Sequence, residues 1–353
     1  MIRASPGHSA GETDIRDRSV RSETADESGR KGRIRSLSRT NEEVPFFRTA
    51  TFGNITGKID FFAAQRRINM YITVNGCKIY YEIHGNENGE TIFFIHGGPG
   101  MGDCRSDIQA FSPLGDEYRL VFFDMRGSGR SETKPPFTHE QWVSDIDEIR
   151  KQLGADKIIM IGGSYGGFLT LEYALRHQEH LSRIVLRDTA PSQNYDDLSM
   201  KKALESRLPG INEEMLNRLF SGQVRSNEEF KEMYKAIQPL YTVEWDEEKA
   251  KERLQSMYFH YETHNYAFSV NKKSYDVTGK LHTIKIPVLV TVGRHDWITP
   301  PVASEDIAKE IENSTLVIFE NSGHSPHIEQ NEAYLELVRD FLKDKIKPGA
   351  FTI

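Results

Sequence analysis

The segment Ile158-Ile159-Met160-Ile161-Gly162-Gly163-Ser164-Tyr165-Gly166-Gly167 runs from an apolar tetrapeptide into a G-x-S-x-G turn. Phe168, Leu169, Leu171, Ala174 and Leu175 follow at helical spacing. Strand, tight turn and helix are thus read in one stretch, with a serine at the turn. A turn this sharp strains the serine backbone and tolerates only small flanking residues. The strain holds the hydroxyl out at the C-terminal edge of a sheet, which makes Ser164 a candidate nucleophile.

The pattern around this segment alternates. Tyr71–Val74, Asn75-Gly76 and Lys78–Ile83 spell a hairpin with a type I′ turn. Strands are expected at Thr91–Ile95, Arg119–Phe123, 157–161 and 183–187, with amphipathic helices at 138–153 and 165–177. Residues 192–280 break the alternation with long, charged helical patterns at Glu213–Phe220, Asn227–Ile237 and Asp246–Tyr258. Sheet character returns at Val288–Val292 and Thr315–Phe319, followed by a final helix near 331–345. Alternating strands and helices imply an α/β fold, a mostly parallel central sheet flanked by helices. The helical interruption reads as an inserted lid.

The expected organisation is therefore a core first half over 66–190, a helical lid over 191–282 and a core second half over 283–353. Residues 1–65 are read as a disordered extension, because residues 1–43 are rich in Arg, Ser, Glu, Asp and Gly and nearly free of aromatics. Glu12, Asp14, Asp17, Glu23, Asp26 and Glu27 argue against an organellar transit peptide, and no apolar stretch of signal-peptide length appears there. The longest apolar runs are strand-length, far short of a membrane span. A cytoplasmic protein without a membrane segment is expected. With 353 residues and a formal charge of −7, the chain carries no long basic stripe in its folded portion, which argues against nucleic-acid binding. Cys77 and Cys104 are too few for a disulfide scaffold and lack metal-ligand spacing, so two free thiols and no metal are expected.

A serine nucleophile needs a general base, and the base needs an acceptor that sets its tautomer. Asp296 follows the strand Val288–Val292, and His324 follows the strand Thr315–Phe319. In an open parallel sheet those loop tips share one edge. The order Ser164, Asp296, His324 is the order a hydrolase of this topology uses. Asp188 is an alternative acid, His327 an alternative base, and His295 reads as a bystander. For the oxyanion, His96-Gly97-Gly98-Pro99-Gly100 supplies a loop whose amides can approach a ligand closely. One donor is expected from Gly97 or Gly98 and the other from Tyr165. A phosphate cradle is the competing reading of that loop, but neither G-K-[ST] nor G-x-G-x-x-G is present.

Together with Asp124-Met125-Arg126-Gly127-Ser128-Gly129-Arg130-Ser131, these motifs resemble the α/β-hydrolase fold and, more narrowly, the proline iminopeptidase family of serine peptidases, over residues 70 to 346. The resemblance implies Ser164, Asp296 and His324 as the triad, with no cofactor. It implies that the 124–131 stretch is structural, Asp124 and Arg126 bracing the loop beside the oxyanion hole. It further implies lid carboxylates that hold the free amino terminus of a small peptide, for which Glu205, Glu244 and Glu262 are the candidates. Glu262 lies in the aromatic run Tyr258–Tyr266, which either lines a pocket or packs the lid onto the core. An aminopeptidase releasing N-terminal proline or a similar residue is the expected function; a carboxylesterase or lactonase acting on small acyl esters is the alternative.

Overall fold

The computed structural model describes residues 70–353; the expected extension over 1–65 lies outside them. The described chain forms one sheet in the order β1-β2-β4-β3-β5-β6-β7-β8-β9. Its strands are β1 (Met70–Val74), β2 (Cys77–Gly85), β3 (Thr91–Ile95), β4 (Arg119–Phe123), β5 (Ile158–Gly163), β6 (Leu181–Arg187), β7 (Val288–Gly293), β8 (Ser314–Phe319) and β9 (Gly349–Thr352). β2 pairs antiparallel with β1 and β4, and every other pairing is parallel. Asn75 (φ 47°) and Gly76 (φ 72°) close the β1–β2 hairpin, the two positive φ values a type I′ turn requires.

The central strands read as unbroken apolar runs because both faces are covered. In β3, Phe93 and Ile95 belong to one core and Ile92 and Phe94 to the other, all fully buried. The first face receives α2 (His139–Gln152), through Trp142, Val143, Ile146 and Ile149, and α3 (Tyr165–His177). The second receives α1 (Arg105–Phe111), through Phe111, and α12 (Asn331–Leu342), through Tyr334, Leu337 and Phe341. Thr138 caps α2 by accepting a hydrogen bond from the Gln141 amide at 3.1 Å.

Between β6 and β7 the chain is helical: α4 (Asp196–Glu205), α5 (Glu213–Phe220), α6 (Asn227–Ile237), α7 (Glu247–Ser256), α8 (Tyr261–Tyr266), a π-helical turn (Ala267–Asn271) and α9 (Lys272–Ser274). This segment has its own core of Ala203, Leu216, Leu219, Phe230, Met233, Tyr234, Ile237 and Leu254, with Trp297 reaching in from the β7 side. Beyond β7 come α10 (Pro301–Glu310), α11 (Pro326–Glu329) and α12 (Asn331–Leu342). Among the described residues no helix is long and apolar enough to cross a membrane.

Two elements escape the hydrophobic pattern for physical reasons. The seven residues of α1 bury Asp107, a charge on the core face that hides the amphipathic signature. β9 is exposed at every position, so no alternation marks it.

His264, on α8, sits between the rings of Phe230 and Phe268 at centroid distances of 4.3 Å and donates from Nε2 to the Leu219 carbonyl at 2.9 Å. Burial lowers this imidazole from 6.5 to about 4. The unfolded chain therefore takes up a proton below about pH 6.5 that the folded chain refuses. Stability tied to His264 is complete above that pH and is lost as pH falls towards 4. Urea unfolding at pH 7 and pH 4.5 is expected to show His264→Phe losing about 2–3 kcal/mol less than the parent over that interval; an equal loss in both would refute the assignment.

Candidate active site

Ser164 stands between β5 and α3 with φ 53° and ψ −123°, a conformation that costs a non-glycine residue about 1–3 kcal/mol. Its neighbours make this possible. A Cβ on Gly166 would run into the carbonyl oxygen of Ile95 on β3, and one on Gly162 into the hydroxyl of Thr170. The strained residue is then tied down from three sides. Its amide donates to Arg187 O at 2.8 Å, and its carbonyl accepts from Gly167 N at 2.9 Å and from Thr189 Oγ1 at 2.8 Å.

The acid and the base candidates meet as neighbouring strand ends. His324 Nδ1 donates to Asp296 Oδ2 at 2.8 Å, which leaves the Nε2 lone pair free in the neutral tautomer. Asp296 has no solvent exposure. It also accepts from the amides of Ile298 (2.9 Å) and Thr299 (3.0 Å) and from the Thr299 hydroxyl (2.8 Å). Ser164 and His324 line the same cavity without a direct hydrogen bond among the described residues. Such contacts tighten when substrate arrives.

The helical segment reaches this histidine directly. The His324 amide donates to Tyr241 O at 2.8 Å, and the Tyr241 ring stands edge-on to the imidazole at 5.3 Å. The Glu329 carboxylate accepts from Gly323 N (2.8 Å) and Val243 N (2.7 Å), joining the histidine loop to the same segment. Burial raises the Glu329 carboxyl above its usual range.

Across from the serine, the amides of Gly97, Gly98 and Tyr165 find no partner among the described residues. A Cβ on Gly97 would lie 2.8 Å from Ser164 Cβ, so only glycine lets the loop come this close, and Gly98 holds φ 62°. His96 fixes the loop from behind, with Nδ1 donating to Gly97 O (2.8 Å) and Nε2 accepting from Met125 N (2.9 Å). The Tyr165 side chain points into the core, bonded to His139 Nε2 at 2.7 Å, and offers the site only its backbone. Asp124 is buried and gathers the amides of Cys104 and Arg130 and the Arg130 guanidinium, while Arg126 pairs with Asp145. Both brace the loops, in keeping with the structural role expected of them.

The cavity over Ser164 measures about 1880 Å³, larger than most small-ligand pockets. Of the three glutamates expected in it, only Glu244 lines it, as an exposed residue. Glu205 is exposed and pairs with Lys201, and Glu262 is exposed on α8; neither reaches the cavity. Within the aromatic run, Phe259, Tyr261 and Tyr266 are partly buried against the hydrophobic cores while Tyr258 is exposed, so the run packs the segment rather than bringing Glu262 to the cavity. His295 is exposed. His327 is buried, stacked on Phe111, and held well below its ordinary value by burial. Asp188 is buried beside Asp296.

No sequence signal announces a buried ion pair that the helical segment brings to the cavity. Lys272 on α9 is buried and donates to both oxygens of Asp196, at 2.6 and 2.8 Å. Its Nζ lies 5.4 Å from the Phe220 ring and 5.1 Å from the Phe268 ring. Burial pushes the ammonium down from its ordinary value. The partners lie 76 residues apart on segments whose approach depends on how the helices pack.

A family model described as alpha/beta hydrolase fold matches residues 90–330. The chain is 40% identical over 278 residues to the proline iminopeptidase PfmaB of Pestalotiopsis fici, covering 77% of this chain and 99% of that protein. It is 30% identical over 286 residues to the proline iminopeptidase of Saccharolobus solfataricus, covering 77% and 91%. Among solved structures, an alpha/beta fold family hydrolase from Bacillus anthracis superposes with a TM-score of 0.63 at 26% identity, covering 79% of this chain and all of that one.

Proposed function

Because the chain belongs to the proline iminopeptidase family of the α/β-hydrolase fold and is an enzyme, a serine hydrolase, we propose that it releases N-terminal proline, or a residue of similar shape, from small peptides through an acyl-enzyme on Ser164. The observation that carries the chemistry is the Asp296–His324 bond at 2.8 Å on the wall of the cavity that Ser164 enters. Ser164 Oγ attacks the scissile carbonyl while His324 Nε2 takes its proton, and Asp296 steadies the imidazolium. The oxyanion lies against the amides of Tyr165 and the Gly97–Gly98 loop, each donor contributing about 3 kcal/mol to the transition state. His324 then protonates the leaving amine, and water repeats the sequence to free the acid. The segment between β6 and β7 acts as the lid that shapes the acyl pocket, with Glu244 as the expected glutamate that lines it.

A second reading, hydrolysis of a small acyl ester or lactone, is favoured by one observation. Asp196, a lid carboxylate lining the cavity, is already committed to Lys272. An N-terminal ammonium must displace that lysine or use the rim. A neutral ester needs no such partner.

Proline p-nitroanilide, its N-acetyl derivative and p-nitrophenyl butyrate separate the readings. The aminopeptidase reading expects amide turnover that falls at least 100-fold when the amine is blocked. Ester turnover with no detectable amide cleavage would overturn it in favour of the second reading.

A further inference from the structure

Asp188 follows the last residue of β6, one strand over from the β7 end that presents Asp296. One oxygen of each carboxyl group and one ring nitrogen of His324 lie within 4.8 Å of one another, and all three residues are buried. The two acids are served very unequally. Asp296 receives two amides, a hydroxyl and the imidazole N–H, at 2.8 to 3.0 Å. Asp188 receives the Gly293 amide on Oδ1 at 3.2 Å, and its Oδ2 has no partner among the described residues.

Two carboxyl groups this close in a dry site do not both ionise. The negative charge goes where donors meet it, on Asp296, and the proton resides on Asp188. Burial and the Asp296 charge drive the Asp188 carboxyl well above its ordinary range, against the pull of Arg187 and the Gly293 amide. The remaining charged groups around it do not reverse this. Arg187 is engaged by Asp107 at 2.6 Å, and Glu329 adds negative charge. The Asp188 backbone is set by its own bonds, with φ 47° and its amide donating to Thr291 O at 2.8 Å. An asparagine would satisfy that backbone and offer Gly293 the same acceptor. What a carboxyl adds is a proton that can leave.

Resting on the triad reading above, we propose that Asp188 is a standby acid of this site, a positioning residue that stays neutral while Asp296 is charged and supplies the negative charge facing His324 when Asp296 cannot. On replacement of Asp296 by asparagine, Asp188 Oδ2 releases its proton to solvent, and the carboxylate so formed stabilises the imidazolium.

The test is a double-mutant cycle in the full chain, with kcat/KM for p-nitrophenyl butyrate measured from pH 5 to 9. Asp188→Asn alone is expected to lose less than tenfold. Asp296→Asn is expected to lose about 10²-fold, with activity recovering along a rising alkaline limb as Asp188 ionises. The double variant is expected to lose about 10⁴-fold, the deficit of a triad without its acid, and to lack that limb. Thermal melts verify folding, and Asp188→Ser gives the same comparison if asparagine impairs it. Equal losses in Asp296→Asn and the double variant would overturn the standby role while leaving the triad intact. Full activity in both Asp296→Asn and the double variant would overturn the triad reading, and the standby role with it.

Discussion

Replacing Ser164 by alanine is expected to lower kcat about 10⁶-fold, the deficit seen when a serine triad loses its nucleophile. The fold should be indifferent to the change. Ser164 Oγ makes no bond to the base, and the three backbone bonds that hold residue 164 are the same for alanine. Stopped-flow and steady-state assays with p-nitrophenyl butyrate measure the loss, and mass spectrometry after fluorophosphonate treatment checks its origin. The parent should gain one adduct at Ser164 and the variant none. Residual turnover within a hundredfold of the parent would defeat the assignment. Ser164→Gly adds a second reading of the same turn. It should be equally inactive yet more stable by about 1–2 kcal/mol, because glycine occupies φ 53° without strain.

The second large effect concerns stability. Arg126 is almost wholly buried and holds Asp145 in a two-pronged pair at 2.6 and 2.9 Å. The same guanidinium donates to Lys134 O at 3.1 Å and reaches the carbonyl of Val74 in the hairpin. Asp145 in turn accepts from Asn75 and Gln141, each at 2.8 Å. Arg126→Met leaves the Asp145 carboxylate buried without its cation. Breaking a buried pair from one side costs about 3–5 kcal/mol, a large share of the 5–15 kcal/mol that separates a domain from its unfolded state. Chemical denaturation is expected to shift accordingly, with an unchanged slope. Asp145→Asn with Arg126→Met should recover more than half of the loss, since neither charge then remains. A single variant within 1 kcal/mol of the parent would show that water reaches the pair.

How much of this was legible beforehand differs from element to element. The hairpin, the buried strands and the serine turn are local. Asn75-Gly76 selects its turn type within two residues, and Ile158–Ile161 with the glycines after it demands strand and sharp turn without help from elsewhere. Asp296 and His324 were also readable, because each lies a few residues beyond a strand whose direction in the sheet was already implied. α1 and β9 were not readable, one carrying a buried charge and the other no buried face at all. The three candidate glutamates between β6 and β7 fared differently. Helical spacing says which residues share a face of a helix, but not which face a given helix turns to the cavity, so Glu205 and Glu262 are expected in the cavity while the packing leaves them in water.

By itself, then, the sequence determined the α/β alternation, the strained serine turn and the strand-end positions of Ser164, Asp296 and His324, because each is encoded by near neighbours. Tertiary structure alone decided the rest: the 4.8 Å meeting of Asp188, Asp296 and His324, the capture of Asp196 by Lys272, and the grip of Glu329 on both the segment between β6 and β7 and the histidine loop. The physical reason is common to all three. A charge buried in a cavity takes its protonation and its partner from whatever donors the packed elements bring to it, and those donors come from residues tens of positions away whose approach no local pattern records.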